Sequence, residues 1–400
     1  MYLELPKKLK NLQGMAHNLA VEMLRPISRK YDLLEHEYPK ELDMVAAMLD
    51  GMNAGDTSGG VGAGQSSQAK QKDPGVRNGA NMAAVVGIQE FCWGDVGLLL
   101  TLPRQGLGNA AIAAVSNEEQ SVRFKGKWAA MAITEPGTGS DSANIRTTAK
   151  KDGDYYVLNG EKIYVTAGSR ADIVVVWATL DKDAGRAAIK SFAVEKGTPG
   201  MEIARLEHKL GIKASDTAAI TFTDCRVHKD NLLGNPEIDV KKGFGGVMQT
   251  FDNTRPLVAA MALGVTKAAI DRTRELLKEH LNCNYSKTIH NVTAMEAELY
   301  RMESDWEAAR LLTLRAAWMA DNGQPNSMEA SEAKAKAGRV CNAVTLRCVE
   351  LCSSLGYGET ELLEKWSRDS KILDIFEGTQ QIQQLIIARR LLNKSSAELK

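Results

Sequence analysis

The amino-acid sequence predicts an α+β multidomain chain, mostly α, in which a β-rich segment separates two helical regions. Its 400 residues exceed what one hydrophobic core usually fills. Apolar residues recur at three- and four-residue spacings towards both ends, whereas short β-rich runs separated by turn residues occupy the middle. We therefore place the domains at 1–127, 128–234 and 235–400.

The charge balance excludes some classes of partner. Lysine and arginine together number 50, as do aspartate and glutamate, so the formal net charge is zero and no overall field attracts nucleic acid. No stretch reaches the roughly 18 apolar residues of a membrane span. The first ten residues lack the apolar segment of a secretory signal. We expect no nucleic-acid partner, no membrane span and a cytoplasmic location.

The first region is predicted to be mostly helical. Residues 1–50 show apolar side chains at helical spacing, with a break near Pro39. The segment 54–80 is rich in Gly, Ser, Asn and Gln, which predicts a mobile loop because these residues bury little apolar surface. In 82–123, glycine and alanine alternate with larger apolar residues, a pattern typical of closely packed helices.

Residues 106–111 read Gly-Leu-Gly-Asn-Ala-Ala and match the Gly-x-Gly-x-x-Ala form of a dinucleotide-binding fingerprint. That fingerprint requires a strand before the motif and a second strand after its helix. The segment that follows here is charged and helical. The sequence therefore favours close helix packing, with a Rossmann-type enzyme as the alternative.

Residues 128–234 are predicted to form a small β domain. Asn159-Gly160 lies between two β-rich runs and is the preferred pair for a tight type I′ hairpin, because both positions need a positive φ. Further strands are predicted at 171–178, 191–195 and 218–224.

Four amphipathic segments follow and predict an antiparallel helical bundle. They cover 254–281, 293–321, 331–355 and 382–392. Cys341, Cys348 and Cys352 share one helix face, and we expect small buried apolar residues there rather than a redox or metal site. The six histidines are scattered without the spacing of metal ligands, so no metal is expected.

Two loops carry the chemical signal. Residues 134–141 read Thr-Glu-Pro-Gly-Thr-Gly-Ser-Asp, and their exposed backbone N–H groups suit an anionic or carbonyl-bearing ligand, although a simple turn fits equally well. Glu377 lies between Phe376 and Gly378, and burial beside apolar walls raises the pKa of a glutamate towards that of a general base. Alternatively, Glu377 only complements the dipole of the helix that follows.

Together with three shorter motifs, these loops resemble the acyl-CoA dehydrogenase family over about residues 117–392. The shorter motifs are Lys-Ile-Tyr-Val-Thr-Ala-Gly at 162–168, Phe-Asp-Asn-Thr-Arg-Pro at 251–256 and Arg-Asp-Ser-Lys at 368–371. The resemblance implies an N-terminal α-helical domain, a middle β-barrel and a C-terminal four-helix bundle. It also implies FAD as cofactor, an acyl-CoA substrate and an electron-transferring flavoprotein as electron acceptor.

The resemblance also implies roles for individual residues. Glu377 is similar to the catalytic base of short- and medium-chain members, whereas isovaleryl and long-chain members carry their base where this chain has Thr254. The positions similar to cofactor-binding residues are Met131, Ile133, Thr134, Gly139, Ser140, Tyr164, Thr166, Gly378, Thr379 and Gln381. The positions similar to substrate-binding residues are Ser140, Asp252, Arg255, Phe376, Gly378 and Arg389. Tyr164 stands where the family more often has tryptophan.

Two segments depart from the family pattern. Homotetrameric members complete each FAD site with Arg-x-x-Phe-Gly and Gln-x-x-Gly-Gly segments of a neighbouring subunit, but this chain has Asn-Cys-Asn-Tyr-Ser at 282–286 and Glu-Leu-Cys-Ser-Ser at 350–354. We expect a homo-oligomer, dimer or tetramer, or a hetero-oligomer with a sister subunit. The predicted activity is FAD-dependent α,β-dehydrogenation of an acyl-CoA thioester. The alternatives are a non-catalytic or half-site partner subunit and an oxidase or monooxygenase.

Overall fold

The order of elements follows the predicted sequence of helices, strands and helices. The computed structural model describes residues 5–52, 79–103, 107–238, 245–283, 289–396 and 398–399. The loop predicted at 54–80 therefore lies almost entirely outside the described residues. None of the described helices is both long and apolar enough to cross a membrane.

Helices fill the described chain before residue 124, as predicted. Their bounds are Lys7–Leu19 (α1), Ser28–Leu33 (α2), Glu41–Met52 (α3), Ala80–Gly94 (α4), Val96–Thr101 (α5), Leu107–Val115 (α6) and Glu118–Arg123 (α7). Gly108 of α6 packs so tightly that an added Cβ would lie 2.3 Å from the backbone of Ala129. This contact supports the packing interpretation of 106–111, although Gly106 lies outside the described residues. Helix α7 follows α6, so the second strand of a dinucleotide fold is missing there.

A curled seven-stranded sheet occupies the middle of the chain. Its strands are Ala129–Ala132 (β1), Thr148–Asp152 (β2), Tyr155–Thr166 (β3), Ile173–Thr179 (β4), Ile189–Glu195 (β5), Met201–Leu206 (β6) and Thr217–His228 (β7). β3 pairs antiparallel with β2 and β7, and β7 also pairs with β6. β4 pairs with β5 on one side and with β1 and then the start of β2 on the other. The strands predicted after residue 170 are confirmed.

The predicted Asn159-Gly160 hairpin is wrong. Both residues lie inside β3, where Asn159 pairs with Thr148 of β2 and Gly160 pairs with a residue of β7. The pairing register shifts between them, and a Cβ on Gly160 would lie 2.5 Å from the Thr147 hydroxyl. Glycine therefore permits a close approach within one bent strand. The turn between β2 and β3 contains Gly153, whose φ is 58°.

The C-terminal helices form the predicted bundle. Their bounds are Gly245–Leu281 (α8), Ala294–Asp321 (α9), Ser327–Tyr357 (α10), Leu363–Ser370 (α11) and Gln380–Leu391 (α12). A Cβ on Gly264 of α8 would lie 2.2 Å from a carbonyl oxygen of α4, so the bundle packs directly on the N-terminal helices. The three cysteines are buried as predicted, and burial raises the pKa of both Cys341 and Cys348 to about 12.

A buried ammonium group joins the three regions. Lys365 of α11 donates to Asp95 at the N-terminus of α5 over 2.7 Å and to Asp369 over 2.5 Å. Asp369 also accepts the backbone N–H of Ile212, which precedes β7. Burial opposes the charge on Lys365, but the two carboxylates outweigh it and raise the pKa of this lysine. The three side chains are at most 2% exposed.

We expect Lys365→Met to lower the free energy of unfolding by about 3–5 kcal/mol, because it leaves two buried carboxylates without their cation. Urea unfolding followed by circular dichroism measures the loss. Lys371→Met is the matched control, since the Lys371 side chain is 53% exposed and lies 3.4 Å from Asp374. Equal losses in the two variants would show that the buried pair does not stabilise the junction.

Candidate active site

Glu377 lies in the turn that leads into α12. Glu377 and Gly378 have φ angles of 56° and 94°, a left-handed conformation that costs a residue with a side chain about 1–3 kcal/mol. Gln383 donates to the carbonyl groups of both residues at 3.0 Å. Lys334 of α10 donates to the Gly378 carbonyl at 2.6 Å. These bonds hold the strained turn in place.

The carboxylate of Glu377 is turned towards the bundle. Thr254 Oγ1 of α8 donates to Glu377 Oε2 at 2.7 Å, and Thr254 and Arg255 are both buried. Burial raises the pKa of Glu377, while the Thr254 hydroxyl and the charges of Arg255 and Lys334 oppose that rise. The net direction is upward, which makes Glu377 a stronger base than an exposed glutamate. This bonding favours the general-base interpretation over a role limited to the dipole of α12.

Thr254 and Glu377 are the two positions at which the family resemblance predicts a base. The 2.7 Å contact between their side chains places both positions at one point, although 122 residues lie between them in sequence (377 − 254 − 1). A carboxylate on either the helix or the turn could therefore reach the same space.

Lys334 is a site residue that the sequence analysis missed. It is fully buried on α10, and burial lowers its pKa to about 8. The signal was available in the helical spacing, because Lys334 falls on the apolar stripe of Ala330, Ala337 and Cys341, where a lysine needs a specific partner.

The loop after β1 is anchored by a buried ion pair. Glu135 accepts from Lys162 at 2.8 Å and from the backbone N–H groups of Arg146 and Thr147 at 2.6 and 2.9 Å. Lys162 also donates to the Ile133 carbonyl at 3.1 Å, and burial lowers its pKa to about 8. Both members of the pair lie in motifs that carried the family resemblance, but sequence analysis assigned them no role.

The anchored loop leaves an open face beside β3. Gly139 and Ser140 are exposed, and a Cβ on Gly139 would contact nothing within 4 Å. Tyr164 lies at an irregularity in β3 with φ 56° and is 61% exposed. Thr134 and Thr166 are half-buried, and the Thr134 carbonyl accepts the N–H of Ile163. An outward aromatic ring beside exposed backbone fits the planar ring system of a flavin.

The remaining predicted positions are distributed unevenly. Met131 and Ile133 pack against an apolar cluster at β1, and Phe376 packs against the main core. Thr379 is half-buried at the start of α12, where Gln381 is exposed. Phe376, Thr379 and Gln381 lie within four residues of Glu377 in the sequence, and Met131 and Ile133 lie in the segment 131–140. The cofactor and substrate roles of all five residues stay predictions.

Three of the positions predicted to bind substrate, Asp252, Arg255 and Arg389, have different contacts in the structure. Arg255 pairs with Asp252 at 2.6 Å, and the negative charge of Glu377 also favours the charged form of Arg255. Arg389 instead donates to the carbonyl of Leu399 at 2.7 Å. It lies nine residues beyond the start of α12, about 13 Å along the helix axis. Asp252 and Arg255 therefore form one pair, and Arg255 lies close enough to Glu377 to interact with its charge, whereas the described bond of Arg389 is to the C-terminal segment.

The segments that depart from the family pattern have local explanations. Glu350 pairs with Arg347 of its own helix at 2.6 Å, so its negative charge is partly compensated within α10. Ser353 has φ 50° and ψ −123°, a glycine-like conformation at a position where the family has glycine. Asn282 is exposed, and residues 284–288 lie outside the described part of the chain.

A curled sheet between two helical regions, an open loop beside β3 and a half-buried carboxylate bonded to the helical bundle are together typical of flavin-linked oxidoreductases that act on carbon–carbon bonds. Comparisons with known families agree. The acyl-CoA dehydrogenase middle domain matches residues 130–225, and the acyl-CoA dehydrogenase C-terminal domain matches residues 241–392. The chain belongs to the acyl-CoA dehydrogenase family, whose members are generally FAD-dependent.

Individual relatives support this assignment. The chain is 32% identical over 393 residues to the mitochondrial short-chain specific acyl-CoA dehydrogenase of Bos taurus, covering 97% of this chain and 91% of the relative. It is 33% identical over 330 residues to a caffeyl-CoA reductase–Etf complex subunit of Acetobacterium woodii, covering 81% and 86%. The structure of butyryl-CoA dehydrogenase from Megasphaera elsdenii superposes with a TM-score of 0.85 at 31% identity, covering 98% and 100%.

Lys334→Met is expected to raise the pKa of Glu377, because it removes one of the two cations that stabilise the carboxylate. Glu377 acts as a base only when ionised, so the acidic limb of the pH–rate profile for acyl-CoA oxidation should move to higher pH. Lys336→Met is the matched control, since Lys336 is partly exposed and pairs with Asp305. An acidic limb at the wild-type pH in Lys334→Met would refute the electrostatic role.

Proposed function

We propose that this chain catalyses FAD-dependent α,β-dehydrogenation of an acyl-CoA thioester to the 2-enoyl-CoA. The main observation behind the proposal is the half-buried carboxylate of Glu377, bonded to Thr254 and lying near Arg255 and Lys334. A raised pKa suits the removal of a weakly acidic α-proton, and family membership supports the reaction class.

Glu377 has two functions in this proposal. Thr254 bonds Oε2 and orients the carboxylate, which leaves Oε1 to take the α-proton. The backbone N–H of Glu377 donates to no acceptor among the described residues and is available to the thioester carbonyl. A preorganised donor of this kind contributes about 3–4 kcal/mol of transition-state stabilisation as negative charge grows on the carbonyl oxygen. FAD, when bound, supplies the acceptor for the hydride that leaves the β-carbon.

We infer that FAD lies against the loop 131–140, Tyr164 and Thr166. The open backbone of the loop and the outward ring of Tyr164 support this position. Gly378, Thr379 and Gln381 would bind the adenosine end of the cofactor, and Asp252 and Arg255 the CoA moiety.

We further propose that an electron-transferring flavoprotein receives the electrons. The similarity to a subunit of a caffeyl-CoA reductase–Etf complex supports this partner. We also propose that the chain assembles into a homo-oligomer or with a sister subunit, which family membership supports. We propose a cytoplasmic location, and none of the described helices is long and apolar enough to cross a membrane.

Glu377→Gln is expected to slow acyl-CoA oxidation by about 100- to 10,000-fold, because the amide cannot accept the α-proton. The flavin spectrum should be unchanged, since the side chain keeps its shape. Reduction of an artificial electron acceptor, measured over a panel of CoA esters, gives the rate and identifies the preferred acyl chain. Glu364→Gln, which changes a carboxylate paired with Arg368 on α11, is the control. Wild-type turnover in Glu377→Gln would exclude the proposal.

Moving the carboxylate tests the geometry independently. In the double variant Glu377→Gly with Thr254→Glu, we expect part of the activity lost in Glu377→Gly to return, because the two side chains meet at 2.7 Å. The comparison of kcat for the single and double variants measures the recovery. No recovery in a double variant that still binds FAD would contradict the shared position of the two groups.

The alternative of a half-site partner subunit has one observation in its favour. Ser353 and Asn282 replace residues that complete a neighbouring FAD site in the family, and both have left-handed backbone angles. Protein purified alone should be yellow if the dehydrogenase proposal is correct. A colourless chain that gains FAD only when produced with a second subunit would establish the alternative.

A further inference from the structure

Glu35, His36 and His208 form a cluster of side chains that come from two different parts of the fold. All three residues are far from Glu377 in sequence. Glu35 and His36 follow α2, and His208 follows β6. One potential metal-ligand atom from each residue lies within 4.8 Å of the others. The ring centroids of the two histidines are 5.1 Å apart. His36 and His208 lack the spacing of metal ligands in the sequence, but the fold brings these two distant residues together.

The carboxylate of Glu35 is already oriented within the cluster. Its Oε2 lies 2.9 Å from Nδ1 of His208, and its Oε1 accepts the backbone N–H of Lys209 at 3.1 Å. The Lys209 ammonium is directed elsewhere, since it donates to the Ser215 carbonyl at 2.8 Å. A cation bound by Glu35 would therefore not displace a lysine salt bridge.

His36 carries the unexplained polar atoms. Both of its ring nitrogens are buried and have no hydrogen-bond partner among the described residues. Leaving a buried polar atom unpaired costs about 1–3 kcal/mol. A neutral imidazole has one nitrogen with a free lone pair, which can bind a metal ion, so a ligand at this position would satisfy a ring atom that the fold leaves unpaired.

We propose that Glu35, His36 and His208 form a zinc site that links the N-terminal helices to the sheet, with water as the fourth ligand. Two imidazoles and a carboxylate are ordinary zinc ligands. Zinc–ligand bonds of about 2.0–2.1 Å place tetrahedral ligand atoms about 3.4 Å apart. The three ligand atoms, which now lie within 4.8 Å of one another, must therefore shift to bind zinc. The His208 side chain can move because it is 82% exposed. Coordination through Nδ1 of His208 replaces its bond to Glu35, and the ring then carries its proton on Nε2.

Titration of the full-length, chelator-treated protein with zinc chloride tests this site. We expect one zinc ion per chain by calorimetry, an increase of the melting temperature with zinc, and tetrahedral ligand-field bands when cobalt(II) replaces zinc. His208→Ala should weaken zinc binding by more than about 100-fold, since loss of an outer partner of a ligand alone costs 10- to 100-fold. His208 is exposed, so this variant should fold.

His290→Ala is the matched control, because His290 is exposed and lies outside the cluster. Its zinc affinity should equal that of the wild type. His36→Ala should lose the cobalt bands as His208→Ala does. Two results would overturn the proposal: no zinc bound by the wild type, or the same zinc affinity in His208→Ala and His36→Ala as in His290→Ala.

Discussion

Partial burial of the Glu377 carboxylate determines how the surrounding residues are arranged. A carboxylate removed from water requires hydrogen bonds and nearby positive charge, or its pKa rises until it is neutral. Thr254 and Arg255 supply these from α8, and Lys334 supplies charge from α10. The carboxylate itself comes from the turn before α12. Three helices must therefore pack together before the carboxylate has both its orientation and its basicity.

The same rule explains the frame around the site. Lys365 is buried between Asp95 and Asp369, and Asp369 in turn binds the backbone of Ile212. One ammonium thus connects the N-terminal helices, the bundle and the segment before β7. Removing one partner of a buried ion pair lowers the free energy of unfolding more than replacing the whole pair with apolar residues does. Such contacts therefore fix the relative positions of the elements they join.

Helical and strand periodicity predicted most of the fold, because it reflects which side of each element is buried. The Asn159-Gly160 hairpin failed since turn preference is local, whereas pairing with β2 and β7 on both sides keeps the strand continuous. Glu377 was predicted as the base from its motif, and the structure places its carboxylate against Thr254 of α8. The position of Lys334 on the apolar stripe of α10 marked a buried lysine, but its partner, the Gly378 carbonyl, could not be predicted because the fold brings it from a distant turn.

Proton exchange at the substrate α-carbon separates the action of Glu377 from hydride transfer. A thioester analogue of acyl-CoA with sulfur at the β-position cannot be dehydrogenated, but its α-protons can exchange with deuterium from heavy water. Mass spectrometry measures the deuterium incorporated. Our account predicts exchange with the wild-type protein and almost none with Glu377→Gln. Equal exchange in both proteins would show that another group removes the α-proton.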